Sequence, residues 1–224
     1  MPEYRVHLHA AETVANKMNF VGREKDIFKL GTILPDAPWY DLRGEDPFDS
    51  KYRLHRYNHN KFDALPVAGS VVFIRETVNR VGSRYTESPL LTGFLFHLVL
   101  DAAFNIRFNR VVNVEDNVYT ITTWSGRKIV KDSTDSFMEI KMRDISAFSQ
   151  CLPYCPIESL DLGLGIAREI ERLCDEDAYD IPGLIKMVNN EAENPDRCRN
   201  IIFTDGQYKD MISDGINEFF NLIG

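Results

Sequence analysis

The chain reads as an all-α protein, a helical bundle with one small β-hairpin inserted at about residues 117–131. Three observations lead there. Apolar residues recur at helical spacing through most of the 224 residues. One segment, LLTGFLFHLVLDAAFNIRF, is apolar nearly all round, as a central buried helix must be. Only one stretch, NVYTITTWSGRKIVK, alternates with the two-residue period of a strand.

The elements follow in order. Residues 6–18 have helical composition. A second helix covers about 22–34, with Ile27, Phe28, Leu30, Ile33 and Leu34 apolar. It ends at Leu34-Pro35-Asp36, because proline has no N–H to continue the ladder and turns the preceding residue away from the α region. Residues 36–64 are polar, aromatic and without periodicity, and a loop of that length in a compact domain is often functional. A third helix is expected over 67–81. Ser88-Pro89 then gives an N-cap and a first-turn proline for the apolar helix. Val118, Thr120, Thr122 and Trp124 alternate up to Ser125-Gly126, which predicts the hairpin. Further helices are expected over about 134–150, 157–174, from Asp180-Ile181-Pro182 onward, and over 206–222.

Composition bounds the function. Apolar residues make up 44% and charged residues 27%, so the chain can bury a core and is read as a single domain over 1–224. The net charge of −8 argues against a general grip on nucleic acid or an anionic membrane. No transmembrane segment is expected, and MPEYRVHLHAAETV has charges where a secretory signal needs an apolar run, so the expected location is cytoplasmic. Cys151, Cys155, Cys174 and Cys198 form no CxxC pair and have no histidine among them, so they are expected to be free thiols rather than zinc ligands.

The chemistry concentrates in the first half, since no histidine follows His97. His97 and Asp101 stand four apart on the most apolar helix, so both project from one face and can reach one ion. A buried carboxylate needs a counter-charge or a metal, and imidazole with carboxylate suits zinc, iron or manganese. The pair also fits a plain His–Asp hydrogen bond between two buried groups. Gly93 and Asn105 share that helical face. Gly93 either leaves room for a ligand or serves packing, and Asn105 either binds a phosphate oxygen or packs. Asp36 begins the long loop and either points into a cleft or makes an Asx turn. His7 and His9 sit two apart and face different ways, so at most one joins a single site. His55 and His59 lie in the loop. No His-Asp dipeptide occurs, which argues against an HD-type phosphohydrolase.

Taken together, three segments resemble the zinc-dependent phospholipase C family in the same order: MPEYRVHLHAAETV its amino-terminal motif, KLGTILPDAPWY its LGxxxPD segment, and TGFLFHLVLDAAFN its GYLxHxxxD helix. IKMRDISAFSQCL is similar, more loosely, to a later helix of some intracellular members. The resemblance covers roughly the first half of the chain. It implies a helical bundle and a metal-dependent hydrolase of a phosphodiester or phosphomonoester, acting on a small phosphorylated substrate. It implies zinc, or another divalent metal, held by His7, Asp36, His97 and Asp101, with His55 as the loop ligand and His59 as its alternative. Asp36 is then the group that orients the attacking water, and Trp39, Tyr40, Tyr57 and Asn105 are the substrate-side residues. The family's further His, His and Glu ligands after the HxxxD helix have no counterpart here. That leaves one ion, or two sharing Asp101, and leaves open a catalytically inactive relative that only binds a metal or ligand.

Overall fold

A computed structural model describes residues 3–39, 87–158, 163–173, 180–190 and 200–224. The expected helix at 67–81, most of the long loop, and Tyr40, His55, Tyr57, His59, Cys174 and Cys198 lie outside the described residues. Among those described, seven α-helices and a small antiparallel sheet make the protein mostly helical: α1 (Tyr4–Lys17), α2 (Arg23–Ile33), α3 (Pro89–Val111), β1 (Val112–Glu115), β2 (Val118–Thr122), β3 (Lys128–Lys131), α4 (Thr134–Ser149), α5 (Leu164–Leu173), α6 (Ile181–Asn190) and α7 (Asp205–Ile223).

The ends of the helices follow local chemistry. Pro35 cannot give the N–H that would continue the α ladder of α2, and the chain tightens into a 3-10 helix over Leu34–Trp39. Ser88 caps α3, its Oγ accepting the Leu91 N–H at 3.2 Å, with Pro89 in the first turn. Ser133 caps α4 in the same way. Thr204 and Gln207 form a capping box on α7, each side chain accepting the other's backbone N–H.

The central helix is α3. Phe94, Phe96, Leu100 and Phe104 are fully buried on it, and it packs chiefly between α2 and α7. Its length and composition alone would let it cross a bilayer, which the sequence reading did not anticipate. However, 78% of its apolar stretch is buried in the protein, the pattern of a core helix. Aromatic stacking closes the core on the far side, with Phe148 and Tyr208 centroids 4.7 Å apart and Phe108 edge-on to Phe203 at 4.9 Å.

Two expectations need correction. The β element is a three-stranded sheet, not a single hairpin. β1 leaves α3 without a break and pairs with β2, Val112 opposite Ile121 and Glu115 opposite Val118, while β2 pairs with β3, Ile121 opposite Ile129. The unforeseen turn is Asp116-Asn117, both at positive φ, as a tight two-residue hairpin turn requires. Ile121 buries the inner face of the sheet. The helix expected from about 157 instead begins at Leu164 among the described residues. Ile157 cannot join it, because both of its backbone groups bind the Asn189 side chain, at 3.2 and 2.8 Å. Among the described residues, Cys151 and Cys155 are free cysteines.

Candidate metal centre

Three side chains from two helices converge inside the protein. His7 comes from the first turns of α1, and His97 and Asp101 come from successive turns in the middle of α3. His7 and His97 are completely buried and Asp101 is 2% exposed. One ligand atom from each lies within 4.8 Å of the others. Asp101 divides its carboxylate between the two rings: Oδ1 is 3.4 Å from His7 Nε2, and Oδ2 is 3.6 Å from His97 Nε2. Both distances exceed the usual 2.7–3.2 Å of a hydrogen bond to nitrogen.

The two imidazoles lie face to face, centroids 4.1 Å apart and planes 9° from parallel. His97 Nδ1 donates to the Thr32 carbonyl at 2.8 Å. Neither nitrogen of His7 has a hydrogen-bond partner among the described residues, although both are buried. A buried polar atom left unsatisfied costs about 1–3 kcal/mol.

Charge separates the rings. Burial, joined by the nearby His97, lowers the His7 pKa to about 4 against the pull of Asp101. His97 is just as buried, which by itself lowers its pKa, but the carboxylates of Asp101 and Asp36 with the bond to Thr32 outweigh that and hold it above the ordinary histidine value. A neutral imidazole with bare nitrogens, a second imidazole fixed through Nδ1, and a carboxylate facing both form a donor set suited to a divalent cation. A cation there would satisfy the bare ligand nitrogen of His7.

The other predicted site residues fall as follows. Asp36 is buried, 5% exposed, on the 3-10 helix, and its charge acts on both histidines. Its backbone carbonyl accepts the Tyr4 hydroxyl at 3.0 Å, which ties that helix to the start of α1. The three-residue cluster does not include its carboxylate. Asn105 is one turn beyond Asp101, and its Oδ1 accepts from Lys141 Nζ at 3.0 Å. Trp39 ends the 3-10 helix. His9 turns elsewhere, as its offset from His7 requires, with Lys209 and Glu12 as its charged neighbours.

Gly93 serves packing. A Cβ there would stand 2.0 Å from the Phe28 carbonyl oxygen, and one at Gly31 would stand 2.1 Å from the Leu90 oxygen. The pair lets α2 and α3 touch backbone to backbone. The Thr32 carbonyl, one residue past Gly31, is the part of the site that sequence reasoning missed. No side-chain pattern marks a backbone acceptor, and only the two glycines hinted at a close approach.

Compared with known proteins, the chain matches no family model, no curated protein and no solved structure. The likeness to phospholipase C rests on the sequence segments alone, three motifs and, more loosely, IKMRDISAFSQCL.

Proposed function

We propose that the protein is a metal-dependent hydrolase of a phosphodiester or phosphomonoester, with its metal held by His7, His97 and Asp101. The observation that carries this reading is the convergence of two buried imidazoles and a buried carboxylate on one point. Nitrogen and oxygen donors of this kind accept zinc, iron or manganese, and we take zinc as the first choice. Asp101, with one oxygen toward each ring, would serve as a ligand whether the site takes one ion or two. A bound divalent metal supplies an activated water and polarises a phosphoryl oxygen. Asp36, buried and close enough for its charge to act on both histidines, would be the protein group that orients a water there and accepts its proton. His55 remains the proposed loop ligand, and Trp39, Tyr40, Tyr57 and Asn105 remain the proposed substrate-binding residues.

A second reading is favoured by one observation, the near-complete burial of all three side chains. Structural metal sites are closed, whereas catalytic ones keep a position open to substrate. On this reading the protein holds a metal without turnover.

Both readings meet in one experiment. Protein purified without chelator is assayed for bound metal, then for hydrolysis of bis-p-nitrophenyl phosphate and p-nitrophenyl phosphate with added zinc, manganese or ferrous iron. Turnover that disappears in His97→Ala supports the hydrolase. Stoichiometric metal with no turnover supports the second reading. Absence of metal binding in every condition overturns both.

A further inference from the structure

The carbonyl group of Thr32 does more than close the end of α2. Thr32 lies in the last turn of that helix, where the α ladder gives way to the 3-10 helix at Leu34. Its own side chain turns back along the helix, Oγ1 donating to the Phe28 carbonyl at 2.9 Å. Its carbonyl is reached by His97 Nδ1 at 2.8 Å from the neighbouring helix. A carbonyl can only accept, so Nδ1 must carry the hydrogen. The neutral ring then has its lone pair on Nε2, the nitrogen that faces Asp101. In the other tautomer Nε2–H would point at the cluster and could bind no metal.

The approach that makes this bond possible depends on two glycines. A Cβ on Gly93 would meet the Phe28 oxygen at 2.0 Å and the Thr32 nitrogen at 3.0 Å, and a Cβ on Gly31 would meet the Leu90 oxygen at 2.1 Å and the Phe94 nitrogen at 3.1 Å. The obstacles are backbone atoms, so an added methyl has to push the helices apart. His97 lies one turn beyond Gly93 and Thr32 lies next to Gly31, so that separation falls directly on the Nδ1–carbonyl bond.

We propose that the Thr32 carbonyl is a positioning group for the metal centre, held against His97 by the Gly31–Gly93 contact, and that it fixes His97 as the Nδ1–H tautomer with Nε2 as its ligand atom. This rests on the metal reading above for its purpose, but its structural content is separate. A ligand histidine whose second nitrogen is anchored in this way keeps its ring orientation, and loss of such an anchor lowers metal affinity about 10- to 100-fold.

The test begins on metal-free protein with long-range nitrogen–proton correlation spectra of the histidine rings at alkaline pH. His97 is expected as the Nδ1–H tautomer with a slowly exchanging ring proton, and the Nε2–H tautomer overturns the proposal. Zinc is then titrated into Gly31→Ala and Gly93→Ala. The folded variants are expected to lose the protected proton and bind zinc about 10- to 100-fold more weakly, and unchanged affinity overturns the proposal. If neither variant folds, His97→Asn and His97→Ala decide the matter. Asparagine keeps a donor near the Nδ1 position, so it should unfold at higher temperature than alanine although both lose zinc, and equal stability overturns the proposal. A wild-type protein that binds no zinc, manganese or ferrous iron defeats the metal reading, while the tautomer spectrum still decides this one.

Discussion

His7 and His97 stack their rings 4.1 Å apart, and the fold drives the two in opposite directions: the pKa of His7 falls to about 4 while that of His97 rises above its ordinary value. Two cations cannot share that contact in a dry interior. Asp101 and Asp36 can hold one proton on the pair, and His97, the ring with the Thr32 anchor, keeps it.

The metal-free protein should therefore be most stable, as far as this pair decides it, near the unfolded histidine pKa of 6.5. His7 is depressed in the folded state, so its contribution is present above 6.5 and is lost as pH falls toward about 4. A shift of that size corresponds to about 3 kcal/mol. His97 is raised, so its contribution is present below 6.5 and is lost as pH rises through its folded value. Urea unfolding in chelator across this range measures both arms. The His7→Gln variant should lose the acid arm selectively, and an unchanged acid arm would show that His7 is not buried as a neutral ring.

Zinc binding should release protons, because a ligand imidazole has to be neutral. His97 is more than half protonated at pH 6.5, since its pKa lies above that value, whereas His7 is already neutral there. Up to one proton should leave per site at pH 6.5. Apparent affinity should climb as pH rises and level off above the His97 value. Calorimetry in buffers of different ionisation enthalpy counts the protons. Thermal unfolding gives a second check: free zinc at 100 times Kd should add about 2.7 kcal/mol of stability, and chelator should remove it.

The features legible in the sequence were the ones that local chemistry controls. The end of α2 at Pro35, the Ser88-Pro89 start of α3 and the four-residue spacing of His97 and Asp101 were all readable from neighbours along the chain, and all three appear in the fold. The resemblance singled out His7 over His9, and the structure places His7 in the cluster. What escaped notice depends on distant parts of the chain. β1 is four residues long, mostly exposed, and follows an apolar helix with no break in composition. Ile157 leaves the helical pattern because Asn189, far along the chain, takes both of its backbone groups. Gly93 could be read as room for a ligand or as packing, and only the position of Phe28 on another helix decides for packing.

Asp101→Asn should separate charge from shape at the site. The amide keeps the volume but loses the anion that faces both rings. Zinc affinity should fall by about 100-fold or more, since changes outside the ligand shell alone cost 10- to 100-fold. In the metal-free variant the His97 pKa should drop, because Asp101 is the largest influence holding it up against burial. Ring proton shifts followed through a pH titration read this directly, and a His97 titration unmoved by the substitution would rule out the electrostatic coupling.

Another buried carboxylate, Asp144, gives a contrast because its needs are met by protein donors. It accepts the backbone N–H groups of Ile201, Ile202 at 2.9 Å and Phe203 at 3.2 Å, and the Tyr208 hydroxyl at 2.7 Å. Burial and that carboxylate push the Tyr208 pKa upward, so the hydroxyl stays a donor at any ordinary pH. One side chain on α4 thus fixes the approach to α7, and the same stretch anchors the sheet, because the Ile202 carbonyl accepts the Trp124 N–H at 2.9 Å. Asp144→Ala leaves these donors without their buried acceptor and should cost at least about 1–3 kcal/mol, the penalty for a buried donor left unsatisfied. Asp144→Asn keeps one acceptor oxygen and should cost less. Chemical denaturation of the two variants beside wild type measures the order. Equal losses would mean that the carboxylate acts through its volume and not through the donors it gathers.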